Sequence, residues 1–528
     1  MADEVGDATA SVGAVPAHDL WPEEVADFAS DEKRGKLQHS ARLDVHTWSE
    51  HPEANQFVDQ VYAAHFGGRK ANIRKRHLKV VLLDLYVNWF NDPTLVTSFS
   101  RNKNDYKAGS IYNALNISNL TIDVVDVLID AGLVEQEIGF LDRKSGIGRM
   151  SRIWPTNALI NLFRDARFSP FDVNPHEGRL TVVLRSKDEA NDGLDLVEYE
   201  PTPETERMSA MLRDYNALLW RTFIDIPELE TPFIPSSEVR VGGVVQVNQH
   251  AKFTRRIFNR GSFECGGRFW GGWWQRCPKE WRSQIFINDD PTNEIDFSGL
   301  HVVMLYGLEG ISYWEEDGTD PYTIDRPEFI EDDAQARSIV KALMLLLLNA
   351  STDKQAYGAF RLKASPGSPE RHFRNEQLAQ IKEALAEKHP RIAKHFGSDA
   401  GIMLMNKDAQ ITEIILSEFV GRSIPILSIH DSYIVPDGCV DFLTETMAMA
   451  FETVIGIPLL SFADKAMKEG SDRIEFLLGI LQMWMPYDNV PGQAENEKAY
   501  IDRAHPRRSE RYTASYNLFR EWCRGKEA

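Results

Sequence analysis

Two aspartates stand where apolar strands end or turn. In "IPILSIHDSYIVP" (424–436) an almost unbroken Ile/Leu/Val run is interrupted by His430-Asp431-Ser432. Runs of this kind are buried strands, and a carboxylate inside one is costly unless something compensates it. A bound cation does so most often when the carboxylate lies at a hairpin turn. "TNEIDFSGLHVVMLYGLEG" (292–310) supplies the second acid: Asp296 closes a short strand and a helix follows. Two such strands side by side would bring both carboxylates to one point. That arrangement can hold two divalent ions about 4 Å apart, the clamp used for phosphoryl transfer. One ion would activate a hydroxyl nucleophile and the other would stabilise charge on a leaving pyrophosphate.

Between them lies "DDAQARSIVKALMLLLLNAS" (332–351), where Arg337, Lys341, Leu345 and Asn349 fall at i, i+4, i+8 and i+12. These four make one stripe of a helix. Two cations one turn apart could grip a triphosphate, with Leu345 and Asn349 under the base and sugar. The same pattern also describes a core helix with two basic residues on its wet side. Upstream, "AKFTRRIFNRGSFECGGRFWGGWWQR" (251–276) interleaves six Lys/Arg, Arg255 and Arg256 among them, with aromatics and one acid. Basic and aromatic residues together suit backbone phosphates and stacked bases. "GGRKANIRKRHLK" (67–79) has six Lys/Arg and no acid, and reads equally as a solvated face or a phosphate contact.

The elements that would position these groups follow from periodicity and turn residues. From about 76 to 165 the order is an amphipathic helix, a short helix in "SIYNALN", a helix opened by Thr121 and stopped at Gly132, and a hairpin through "LVEQEIGFLDRKSGIGRMSRIWPT". The order resembles a winged helix, whose second helix commonly enters the DNA major groove. Arg143, Lys144 and Arg149 flank the wing tip. Packing or protein contacts are the other use of such a module. In 171–250, "RLTVVLRS" and "LDLVEYE" would pair as a hairpin before the helix "PETERMSAMLRDYNALLWRTF".

A chain of 528 residues exceeds one hydrophobic core, and its net charge of −20 argues mildly against nucleic acid. Much of that charge sits at the front: residues 1–50 hold eleven acids against four bases, an acidic leader expected to be partly disordered. The four cysteines lack CxxC spacing, so neither a zinc site nor a disulfide framework is expected. The first residues lack the order of a signal peptide, and "ALMLLLLNA" is less than half of a membrane span. A cytoplasmic protein without a membrane partner is the expectation.

Over roughly 255–470 the order of segments resembles the palm and fingers of family A DNA polymerases and the related single-subunit RNA polymerases. Asp296-Phe297-Ser298 resembles the first motif, whose aspartate binds both metals and whose next residue, here Phe297, offers its backbone carbonyl. Arg337-x3-Lys341 resembles the fingers helix that binds the incoming triphosphate. His430-Asp431-Ser432 resembles the third motif, in the form usual for the single-subunit RNA polymerases. "GGRFWGGWWQRCP" resembles the primer-template segment, with Arg268 and Gln275 where it contacts the duplex. The chain departs from the family in several places. Asn349-Ala350 stands where the fingers helix carries Tyr-Gly, Leu345 replaces an aromatic or Met, and His301 occupies the place of a sugar-excluding Glu. A Tyr-Gly at 357–358 lies too far along to substitute. A compact core of this kind is most similar to the polymerases of transposons, viruses and other mobile elements.

The resemblance implies an α+β chain: a right-hand palm of antiparallel sheet with helical fingers, preceded by a winged-helix-like module. Its expected divisions are a leader (1–45), the helical module (46–170), a connector and reduced thumb-like region (171–250), palm and fingers (251–475), and a helical tail (476–528). It implies a template-directed nucleotidyltransferase, a DNA polymerase or primase-polymerase of a mobile element, phage or plasmid. A single-subunit RNA polymerase and a non-catalytic replication initiator are the alternatives. Asp296 and Asp431 would hold two Mg²⁺ ions, or Mn²⁺. Lys341 would protonate the pyrophosphate, and Arg337, Leu345, Asn349, His301 and Phe297 would line the nucleotide. Arg268, Gln275, His430, Arg255 and Arg256 would contact nucleic acid. The partners would be a DNA template and primer, nucleoside triphosphates and a separately encoded helicase.

Overall fold

A computed structural model describes residues 40–67, 71–141, 148–187, 194–234, 245–297, 299–481, 483–484 and 504–527. Most of the leader and the wing residues Arg143 and Lys144 lie outside the described residues. The chain is a mixed α/β protein with several small sheets and two large hydrophobic cores, one on each side of about residue 175. Among the described residues, no helix is long and apolar enough to cross a membrane.

The first core is organised by one helix. Strand β1 (Ser40–Arg42) and helix α1 (Pro52–His65, with Pro at its first turn) precede α2 (Ala71–Asn91). Residues 77–88 of α2 are buried on every side, as befits a helix enclosed by its neighbours. Then come β2 (Val96–Phe99), α3 (Leu120–Asp130), β3 (Val134–Glu137), β4 (Ser151–Pro155) and α4 (Asn157–Arg164). The sheet runs β1-β2-β4-β3, antiparallel except for β1 on β2. Residues 40–42, assigned to the leader from sequence, are thus part of this sheet. The short helix expected in "SIYNALN" is absent. Residues 107–118 form successive turns pinned by the Asn113 side chain, which donates to the Lys107 and Ile117 carbonyls. An Asn that bonds its own neighbourhood competes with helix formation.

Strands β5 (Val182–Lys187) and β6 (Leu194–Leu196) pair antiparallel, as the sequence predicts, and helix α5 (Pro203–Trp220) follows with a Thr202 cap. Strand β5 also pairs in parallel with β7 (Arg255–Phe258), which pairs with β8 (Gly266–Trp270). The expected division at 250/251 therefore cuts through a single sheet.

The third sheet positions the two aspartates. Its centre is β9 (Asp290–Asp296), β11 (Ser432–Pro436) and β10 (Leu427–Ile429), antiparallel in that spatial order. Two-residue strands at 224–225 and 286–287 extend one side, and 483–484 pairs along β9. Around it pack α6 (Leu300–Leu308), α7 (Asp333–Asn349), α8 (Asp353–Lys363), α9 (Asn375–Lys388), α10 (Gly401–Gly421) and α11 (Val440–Ile455). Tyr357-Gly358 lies on α8, a separate helix from α7. Two further helices, α12 (Leu459–Lys468) and α13 (Arg473–Leu481), precede the last, α14 (Glu510–Glu527). Helix α14 ties the two cores together: Arg511 grips Asp225 with two nitrogens, while the Trp522 indole and the Lys526 ammonium reach Asp172.

Candidate active site

Ile429 pairs with Ser432, so His430-Asp431 form a two-residue turn. His430 adopts φ 57°, a conformation such turns normally give to Gly, at a cost of roughly 1–2 kcal/mol for another residue. Its ring packs edge-on to Trp270 with centroids 4.6 Å apart. One strand over, Asp296 pairs with Ser432, and the Phe297 amide donates to the Asp431 carbonyl at 3.4 Å. The register therefore sets Asp296 and Asp431 at the same end of neighbouring strands.

The charge there is uncompensated by contact. Asp296 Oδ1 is buried without a hydrogen-bond partner. Burial pushes its carboxyl well above the usual carboxylate range, and Asp431 and Glu294 push the same way; Lys341 and Lys279 act against them. Glu294 projects from the same face of β9 two residues earlier, but Arg282 holds it at 2.9 and 3.0 Å and the Ser432 hydroxyl donates to it at 2.8 Å. Among the described residues, Asp296 and the half-buried Asp431 are the acids here left without a hydrogen-bonded or ion-paired side chain.

A second group closes one side. Arg268 Nε meets Asp408 Oδ2 at 2.7 Å, and its Nη2 lies 3.5 Å from His301 Nε2. Burial raises the Asp408 carboxyl to about 6, against the pull of Arg268. Burial and the Arg268 charge hold His301 and His430 down at about 4, so both rings are neutral at pH 7. One turn along α10, Thr412 bonds the Tyr433 hydroxyl at 2.8 Å and the His430 carbonyl at 3.4 Å, fixing the hairpin to that helix.

Helix α7 carries the four stripe residues outside its buried face. Arg337, Lys341 and Leu345 are half-buried and Asn349 is exposed, while Ala336, Ile339, Val340, Leu343, Met344, Leu347 and Leu348 form the core side. Arg337 and Lys341 lie 5.7 and 5.6 Å from the ring centroid of buried Tyr322, and Asp320 binds Arg337 at 2.6 Å. Lys341 faces the aspartates closely enough to oppose the shift at Asp296. Asn349 lies apart from this group: it donates to the Leu345 carbonyl and packs where α10 begins at Gly401.

Other candidates are committed to the fold. Gln275 donates to the Phe269 and Ser428 carbonyls and accepts from the Gly271 amide, so it braces β8 against β10. Arg256 is buried, with Glu413 on one nitrogen and the Gly267 carbonyl on another. Arg255 lies among Arg179, Arg185 and Asp44, where burial lowers it to about 9. The Phe297 ring is buried facing Phe451. For Gln275 and Arg256, contact with a duplex would require giving up these internal bonds.

Sequence reasoning missed Glu294, Asp408, Lys279, Asp320 and Tyr322. Glu294 was legible as the i−2 neighbour of Asp296 on a strand. Asp408 was legible too: with Leu404, Ile411 and Ile415 it occupies i, i+4, i+7 and i+11, an acid on an apolar stripe. Asp320 and Tyr322 sit in an aperiodic loop folded over the start of α6, where a Cβ on Gly299 (φ 59°) would come 2.5 Å from Pro321. Nothing local marks them.

Among the described residues, no group of three or more His, Cys, Asp and Glu could cage a metal. Two carboxylates and a backbone carbonyl instead suit Mg²⁺, which keeps waters and shares substrate phosphates rather than sitting in an all-protein cage. The orphaned Asp296 oxygen fits that role. No protein-family model and no curated protein matches the chain.

Proposed function

We propose that the chain is a template-directed nucleotidyltransferase that extends DNA by two-metal phosphoryl transfer, with β9–β11–β10 as its palm, α7 as its fingers helix and residues 46–170 as a winged-helix-like module. The observation that carries this reading is the register of Asp296 on Ser432, which brings together two acids 135 positions apart in sequence and leaves one buried oxygen unsatisfied. Mg²⁺ bound by Asp296 and Asp431 would supply Lewis-acid stabilisation of the transferring phosphoryl group. Lys341 and Arg337 bind the triphosphate, and Lys341 donates a proton to the departing pyrophosphate. For Arg337 to reach a phosphate, Asp320 must release it, so that pair sets the helix's resting position. Neutral His301, held beside Arg268, stands at the sugar. His430 and Trp270 present a packed wall for the primer end.

Primer extension with separate deoxy- and ribonucleotide pools tests the proposal. Mg²⁺-dependent extension is expected with deoxyribonucleotides preferred, and Asp296→Asn or Asp431→Asn should each lower the rate by about 10³-fold or more while DNA binding persists. Near-normal extension by either variant would refute the assignment.

A further inference from the structure

The basic stretch 67–79 has no part in the site above, yet its described residues line a cleft of about 330 Å³ between α1, α2 and the Trp48 segment. That volume is at the small-ligand end of binding-site sizes. Lys79 is only 6% exposed: its ammonium donates to Asn55 Oδ1 at 2.7 Å and lies 3.7 Å from the Trp48 ring centroid, with the Glu50 and Asp59 charges near enough to favour its charged form. Burial outweighs them and lowers it to about 8. The direct contacts of these two acids go to other residues. Glu50 accepts from the Trp48 indole at 2.6 Å, and Asp59 pairs with Lys75 at 2.8 Å. Arg76, on the same wall, has a buried Nε without a hydrogen-bond partner among the described residues. Two cations with unspent donors thus border a concave space that also presents an indole and the Asn72 amide. Buried donors left unmatched cost stability, and a multi-oxygen anion would satisfy both at once.

We propose that this cleft binds a phosphate ester of mononucleotide size, its phosphate between Arg76 and Lys79 and its apolar part along Trp48. The ester comes either from a free nucleotide or from the 5′-phosphorylated end of a strand. The site is separate from the two aspartates and does not depend on catalysis there.

Titration calorimetry of the full chain in EDTA, which removes Mg²⁺-dependent nucleotide binding at Asp296 and Asp431, tests it with three probes: deoxyadenosine 5′-monophosphate, deoxyadenosine, and a 5′-phosphorylated pentadeoxynucleotide. The monophosphate should bind about tenfold or more tighter than the nucleoside, and Arg76→Gln should remove about that factor. A pentanucleotide that binds tighter than the monophosphate and loses that excess with Arg76→Gln assigns the strand end, and equal affinity assigns the free nucleotide. Should Arg76→Gln misfold, Asn72→Asp, which places an acid at the exposed rim, supplies the same readout. No binding of either phosphate at millimolar concentration, or affinity unchanged by these substitutions, would overturn the proposal.

Discussion

Helices α3 and α7 were both nominated by their pattern to meet nucleic acid or nucleotide, and they present opposite charges. On α7 the half-buried stripe carries Arg337 and Lys341 toward two acids and an aromatic ring. On α3 the outward positions are Asp123, Asp126 and Asp130, with Arg101 bound to Asp126 at 2.6 Å. Duplex DNA carries about one negative charge per 1.7 Å of axis, so an acidic helix is a poor occupant of its groove. The nearby ribbon adds exposed Ile138, Phe140 and Leu141, and its described cation, Arg149, is buried against Glu137 and the Phe140 ring. Among the described residues, the module's strands and helices follow the winged-helix order while α3 and its ribbon lack the exposed cations that DNA phosphates need. Element order positions a surface, and the residues on that surface decide what it meets.

The comparison can be broken most sharply on α7. Lys341→Ala should reduce kcat/KM for the incoming nucleotide by about 10²–10³-fold, the range for losing one positioned proton donor or cation. Arg337→Ala should cost less, since Asp320 already competes for it. Steady-state extension kinetics at varied nucleotide concentration measure both, and an unchanged kcat/KM for Lys341→Ala would make α7 a core helix with two basic residues on its wet side.

Asp408 is next. Removing one partner of a buried ion pair leaves the other uncompensated, typically costing about 3–5 kcal/mol. With Arg268 partly exposed, Asp408→Asn should fall at or below the low end of that range in urea unfolding, while raising KM for the primed template. Loss of stability with an unchanged KM would reduce Arg268 to a structural role.

A pH series separates the strained acid from its surroundings. The folded-state pKa of Asp296 is raised, so in EDTA its contribution is fully present below the ordinary carboxylate pKa and is lost as pH rises toward the raised value. The urea midpoint of Asp296→Asn should therefore fall less than that of the native chain as pH rises above 4. Added Mg²⁺ should flatten the native curve. Identical slopes in EDTA would show that Asp296 is not under this strain.

The smallest effect is expected on α3. Replacing Asp123 and Asp130 by Lys should change affinity for a short duplex by less than about twofold, because a helix away from the phosphates neutralises none of them. A several-fold gain with a steeper salt dependence would place α3 against DNA and erase the contrast with α7.

The sequence alone determined the local elements and the costly residues within them. Asp296 and Asp431 stood out because carboxylates interrupt apolar strands, and the α7 stripe stood out because helical spacing is fixed at 3.6 residues per turn. The acids of α3 were equally plain in "TIDVVDVLID", since exposed positions follow from the same spacing. Asp408 was legible by the same rule. Only the tertiary structure could decide the rest. That Gln275 and Arg256 face inward depends on Ser428 and Glu413, which lie over 150 residues away. Tyr322 reaches the basic stripe through an aperiodic loop whose path is set by packing on α6. Lys79 and Arg76 enclose a cleft only because α1 and the Trp48 segment close over them. Local periodicity tells which side of an element is buried, whereas the partner on that side is chosen by the whole chain.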